Sequence, residues 1–337
     1  MTSAGSAHLR AYEAEYDAVL ARVRHVVAGF PPLLRCLAEP LLPRWGEASF
    51  SRIVALLPYW VADLLDRAPF PEGSPHPPRP DETGTLAVAN LLGWWSTLIQ
   101  DGLLDGDLEQ AKLLPLSTAL HASAIRLLTQ LLPGHESFWQ AFERLSLASS
   151  EACAWEHRHR LGYLNGLDAD ETDRAELGRL ADRSSLLQLA VAAQFALRGL
   201  EQEHPLCAAL CEMLRHYASA RQIGDDRSDW VLDLQNGQLN HVSSRLVRRM
   251  LENGDIGSCA EVDAERMMGH YLHDDELFAS IQQEAVEACR RAAQCIAPYR
   301  SLPLDSLVSE LAQQLEQNYR AALESRRRLQ AAFFLNK

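Results

Sequence analysis

The feature that most limits the fold of this chain is the uniform helical spacing of its apolar residues. No Val/Ile/Thr-rich segment alternates apolar and polar side chains, so nothing in the sequence reads as a strand. Pro, Gly or Asn closes most periodic stretches, as at Leu132-Pro-Gly, Gln235-Asn-Gly and Glu252-Asn-Gly. The spacing predicts helices over roughly 6–28, 31–41, 48–66, 84–104, 107–132, 136–162, 170–200, 203–234, 239–252, 259–270, 274–297 and 303–333. The chain has 337 residues, 47% of them apolar, which suffices for a large core. The expected fold is all-α, a single-domain antiparallel helical bundle of about 10–12 helices around a central apolar cavity. The clearest break is the Pro-rich stretch 68–84, read as a long loop between helices of that one domain.

Charge removes some functions. A formal net charge of −13 disfavours nucleic acid, whose phosphates need clustered cations. Lys112 and Lys337 are the only lysines, so a cationic contact to phosphate must come mostly from arginine, whose planar fork suits it. The seven cysteines are scattered without a Cys-x-x-Cys, which reads as a reduced, cytoplasmic protein. Arg10, Glu13 and Glu15 stand where an export signal would need an apolar stretch, and no run is apolar and long enough for an integral membrane segment.

Two acidic stretches carry chemistry. Gln222-Ile-Gly-Asp-Asp-Arg-Ser-Asp-Trp230 holds Asp225, Asp226 and Asp229, and Asp225 and Asp229 are four apart, on one face of a helix. Gln100-Asp-Gly-Leu-Leu-Asp-Gly-Asp107 repeats that spacing with Asp101 and Asp105, at the end of an apolar run. A lone pair of this kind is usually a solvated surface patch. A second copy above an apolar helix points instead to Mg²⁺, a hard cation that takes one or two carboxylates and leaves its other positions to water and phosphate. Two such helices facing each other would make a carboxylate-lined mouth for a diphosphate with a hydrocarbon tail. Arg221 and Gln222 share the acidic face, within reach of phosphate or of the carboxylates themselves. Trp94 lies about two turns below Asp101 on its face, placed to present an aromatic face to a cation, with Phe195 a further candidate. The bland reading of such aromatics is ordinary core.

These two stretches resemble the aspartate-rich motifs of the trans-isoprenyl diphosphate synthase and class I terpene synthase superfamily. Their order and the helical pattern between them are also similar, and Arg183-Ser184 occupies the place of the family's Lys-Thr pair. The resemblance implies an isoprenoid synthase-like fold and a substrate of one kind: an isoprenyl diphosphate bound with Mg²⁺, three ions in all. Asp101, Asp105, Asp225, Asp226 and Asp229 would be metal ligands, with Arg183 on the diphosphate, and the chain would form a homodimer. In the family the residues one turn below the first motif set chain length. Here they include Ser96 and Thr97, small enough for a shaft reaching Trp94, which favours a C20 substrate with C15 and C25 as neighbours.

Departures from the family pattern refine the expectation. Gly102 replaces the usual second Asp of the first motif. Chain-elongating synthases bind a second diphosphate through basic clusters; here Leu42-Pro-Arg-Trp-Gly-Glu47 offers one Arg and Asp107-Leu-Glu-Gln-Ala-Lys112 one Lys. The expected enzyme is therefore a class I terpene cyclase. The alternatives are a chain-elongating trans-prenyltransferase and a non-catalytic partner subunit of such a synthase.

Overall fold

The computed structural model describes residues 10–68, 79–104, 111–158, 179, 181–258, 261–262 and 264–335. Among these residues there is no strand, as the spacing predicts. The helices are α1 Glu13–Ala28, α2 Pro32–Ala38, α3 Leu42–Glu47, α4 Ser49–Arg67, α5 Pro80–Leu104, α6 Leu114–Leu131, α7 Glu136–Arg158, α8 Leu189–Leu197, α9 Pro205–Gln235, α10 His241–Glu252, α11 Ala264–His273, α12 Asp275–Ile296 and α13 Leu302–Leu335. Two compact units divide the chain. The first comprises Met1–Leu145, Leu186–Cys211 and Tyr299–Leu304; the second comprises Ser146–Ser185, Glu212–Pro298 and Asp305–Lys337.

The helix boundaries differ from the expected ones where proline acts as a starter rather than a stop. Pro80 opens α5, four residues earlier than the loop reading, and Asp81 and Glu82 follow in the first turn, where carboxylates oppose the partial positive charge of the helix end. Pro43 lies in the first turn of α3, which forms in the gap left between the helices expected over 31–41 and 48–66, while α2 covers only part of the former. Residues 69–78 of the Pro-rich stretch lie outside the described residues.

In the first unit, α5 packs on α4 and α6 and also touches α1 and α8. Its Leu86, Ala87, Leu91, Leu92, Trp95 and Ile99 are buried. Pro58 sits inside α4 and lacks the N–H that would bond to Val54. Asn90 of α5 fills the gap, donating to the Val54 carbonyl at 3.2 Å. Gln194 of α8 donates to the Pro58 carbonyl, and Arg198 to that of Ala62, so buried polar side chains also brace the helix beyond its proline. Arg198 is itself held by Asp66 and Gln194.

In the second unit, Arg227, Arg326 and a group of aromatic rings form the inner layer. Phe278 and Tyr319 stack with ring centroids 5.0 Å apart, Arg326 lies 4.4 Å over Phe278, and Arg227 lies 5.8 Å over Tyr319. Gly224 of α9 faces Leu315 of α13 so closely that a β-carbon there would collide with a Leu315 methyl. Arg227 donates to the Leu315 carbonyl at 3.3 Å from the next turn, which ties α9 to α13 at two successive levels.

Candidate active site

The second acidic motif is built by the end of α9 and the start of α10. Gly237, at φ 74°, closes α9: its N–H reaches the Leu234 carbonyl and that of Gln238 reaches Asp233. Three residues after Gly237, Asn240 caps α10, its side-chain oxygen accepting from Val242 and Ser243 at 3.0 and 3.1 Å. Ser243 returns the bond by accepting from the Asn240 N–H at 2.8 Å.

On α9 the three aspartates divide into two kinds. Asp225 and Asp229 are exposed, on one face, as their spacing predicts. Asp226 is 4% exposed and turned into the protein. One of its oxygens accepts from Gln222 at 2.6 Å and the other from the His241 N–H at 3.0 Å. Burial pushes its carboxyl above the ordinary range, against the His241 N–H, Gln222 and Arg183. Asp226, expected as a metal ligand, thus has both oxygens committed to protein donors. Gln222, expected on the acidic face, is the donor to one of them.

Arg221 stands where helix geometry puts it, paired with Asp225 at 3.2 Å. The surrounding protein raises the Asp225 carboxyl; Arg221 opposes this, while Asp226 and Asp229 add to it. Arg183 pairs with Glu156 at 2.7 Å, and its carbonyl accepts from Ser149 at 3.0 Å. Its charge is felt at both Asp225 and Asp226. A cavity of about 20 Å³, room for about one water, is bordered by Trp155, Glu156, Arg179, Arg183, Asp226 and His241. Arg179 lies 5.0 Å over the Trp155 ring. His241 is held from behind by Glu284, 2.8 Å from its Nε2, and Arg245 pairs with the same carboxylate. Asn240, His241, Glu284 and Arg245 escaped the sequence reading. The signal for Asn240 was present, as Asn with Ser three residues on at the start of a periodic segment.

The first motif belongs to the first unit. Asp101 lies in the last described turn of α5, partly buried, with Gly102 beside it in regular helix; Asp105 and Asp107 lie outside the described residues. Two turns back, Trp94 packs its ring on Phe50 of α4 with centroids 4.7 Å apart. Thr97 donates to the Trp94 carbonyl at 2.8 Å. Ser96, expected at the flank of the tail path, is fully buried against α6 and donates to the Ser117 carbonyl at 3.0 Å. A hydroxyl inside a helix–helix contact needs such a partner, and Ser117 supplies it. Phe195 is fully buried in α8 beside the His204 ring.

No protein-family model and no curated protein matches the chain. Solved structures do match. The geranylgeranyl pyrophosphate synthase of Lactobacillus brevis superposes with a TM-score of 0.69 at 15% identity, covering 92% of this chain and 97% of that one. The chain has the prenyl synthase fold. A geranylgeranyl pyrophosphate synthetase from the archaeon Geoglobus acetivorans gives 0.66 at 15% identity, over 91% of this chain and 99% of the other. A polyprenyl synthase from Roseobacter denitrificans gives 0.65 at 16% identity, over 91% and 96%. The expectation of an all-α, isoprenoid synthase-like fold is borne out over nearly the whole length.

Within this prenyl synthase fold the residues of the second motif fit Mg²⁺. Asp225 and Asp229 offer hard oxygen donors on an exposed helix face, with space beyond them for water and phosphate oxygens. Among the described residues no three or more His, Cys, Asp or Glu side chains form a ready-made metal cage. Mg²⁺ does not need one, because it keeps several waters and takes ligands from its phosphate partner. Among the described residues, too, no helix is long and apolar enough to cross a membrane.

Proposed function

We propose that this chain is an enzyme acting on isoprenyl diphosphates, and that it ionises an allylic diphosphate with Mg²⁺ before extending the chain with a second isoprenoid unit. The observation that carries the first step is the exposed Asp225–Asp229 pair, with Arg221 on the same face and Arg183 acting electrostatically on Asp225. Asp101 and Asp105 are the corresponding acids of the first motif. Bound Mg²⁺ would act as a Lewis acid on the departing diphosphate. In the ionisation the allylic C–O bond breaks and its electron pair leaves on the diphosphate oxygen. Arg183 is suited to that developing charge, since a guanidinium makes forked, charge-assisted bonds to phosphate. To do so it must exchange its partner Glu156 for the ligand.

Extension is favoured because solved structures that cover this chain almost end to end are named as polyprenyl or geranylgeranyl pyrophosphate synthases. Cyclisation of the same cation is the second reading. It rests on the scarcity of basic residues: α3 holds Arg44 as its only cation, and the stretch Asp107–Leu113 after the first motif holds one Lys, Lys112, so a second diphosphate finds few basic side chains there. Incubation with Mg²⁺ and C10, C15, C20 or C25 allylic diphosphates, with and without isopentenyl diphosphate, separates the two. Longer diphosphates formed only with isopentenyl diphosphate support extension. Hydrocarbon from one substrate alone supports cyclisation. No turnover of any substrate would sink both and return the partner-subunit alternative.

A further inference from the structure

We propose that Asn240 is a positioning residue for the Asp225–Asp229 pair, clamping the last turns of α9 to the first turn of α10. The inference rests on the reading of that pair as the metal-binding face. Asn240 uses both ends of its amide. The oxygen caps α10, as described above. The nitrogen donates to the Asp226 carbonyl at 2.9 Å and to the Asp233 carboxylate at 2.8 Å. Those two acceptors lie on either side of Asp229 in the sequence. The next residue continues the tie, since the His241 N–H binds the Asp226 carboxylate at 3.0 Å.

The clamp has a mechanical reason. α9 ends at Gln235, only a turn and a half beyond Asp229. The last carbonyls of α9 already receive the N–H groups of Asn236, Gly237 and Gln238, so what Asn240 adds is a tie between α9 and α10 across the turn that carries Asp229. Asp229 would have to stay in register with Asp225 for both carboxylates to help hold Mg²⁺, although their mutual repulsion favours separation. Asn240 holds the backbone at Asp226 and the side chain at Asp233, and so fixes the turn that carries Asp229. It also explains why Asp226 is turned inward: its carboxylate is the other half of the tie. Asn240 acts on the ligand only through these groups.

The test separates clamping from capping. Ser caps a helix about as well as Asn but cannot reach Asp233, so Asn240→Ser keeps the cap and removes the clamp. Calorimetric binding of inorganic pyrophosphate in the presence of Mg²⁺ is compared with the thermal midpoint of the same samples. The expected result is about tenfold or more weaker pyrophosphate binding, as for the loss of groups that orient metal ligands, with a midpoint close to wild type. The exchange variant Asn240→Asp/Asp233→Asn restores a donor–acceptor pair across the clamp and should bind pyrophosphate clearly better than Asn240→Asp alone. Wild-type binding in Asn240→Ser would overturn the inference. If that variant does not fold, equal binding by Asn240→Asp and the exchange variant overturns it instead. Wild-type protein that binds no Mg²⁺–pyrophosphate would sink the metal-face reading itself, and the inference with it.

Discussion

The Asn90 amide donates to the Val54 carbonyl at 3.2 Å, the acceptor that Pro58 leaves without its helical donor. A proline in the middle of α4 is tolerated because a neighbouring helix supplies the missing bond. Asn90→Ala should therefore cost about 1–3 kcal/mol, the penalty of a buried carbonyl left without a partner. Pro58→Ala in the same chain returns an N–H to the helix and should recover part of the loss. Urea midpoints of the two single variants and the double variant measure this. Additive effects would show that the two residues are not coupled.

Gly224 predicts a second coupling. A methyl group there meets the end of Leu315, so Gly224→Ala must displace that side chain and disturb the α9–α13 contact just before Asp225. Overpacking of this kind costs about 1–3 kcal/mol. Leu315→Ala should then be less harmful in the Gly224→Ala background than alone. Thermal midpoints of the four proteins give the coupling, and strict additivity would contradict the close contact.

Glu284 gives a pH dependence. Burial raises its carboxyl, but the His241 bond and charge together with Arg245 outweigh burial and hold it below the ordinary value of 4.5. A carboxylate whose folded pKa is depressed contributes stability that is present above the unfolded pKa and is lost as pH falls through the folded one. Glu284→Gln should thus be less stable than wild type at pH 7, and the gap should narrow below about pH 4.5. Melting curves at both pH values check the sign. A gap that stays constant would mean that Glu284 acts by shape alone.

The sequence made the helical fold legible because apolar spacing is local, and α4, α9 and α13 lie within two residues of their expected limits. It also gave the shared face of Asp225, Asp229 and Arg221, which follows from helix angle alone. The roles of Asp226 and Ser96 were not legible, because each is decided by a partner on another helix, His241 in one case and Ser117 in the other. Asp226 differs from Asp225 only by a rotation of about 100°, and that rotation turns an exposed acid into a buried anchor. Prolines misled in the opposite sense. Pro80 was placed inside the loop 68–84, and no helix was expected over 42–47 around Pro43, although proline is well suited to the first turn of a helix.

The division of labour between the aspartates gives a further expectation. Asp226→Ala should lower stability by about 1–3 kcal/mol, since the His241 N–H and the Gln222 amide would lose their buried acceptor. Asp225→Ala and Asp229→Ala should leave stability unchanged or slightly raised, because each removes a like-charge neighbour from an exposed face. Chemical denaturation of the three variants decides between this arrangement and one in which all three acids are equivalent.

The most direct measurement of the central claim is Mg²⁺-dependent release of diphosphate from a C15 or C20 allylic isoprenyl diphosphate with isopentenyl diphosphate present, followed for the wild type and for Asp225→Ala and Asp229→Ala. The account predicts release by the wild type that stops when Mg²⁺ is chelated. It also predicts a loss of about a hundredfold or more in both folded variants, on the scale of removing one group that stabilises the developing charge. Release that persists without Mg²⁺, or variants that turn over as fast as the wild type, would contradict it.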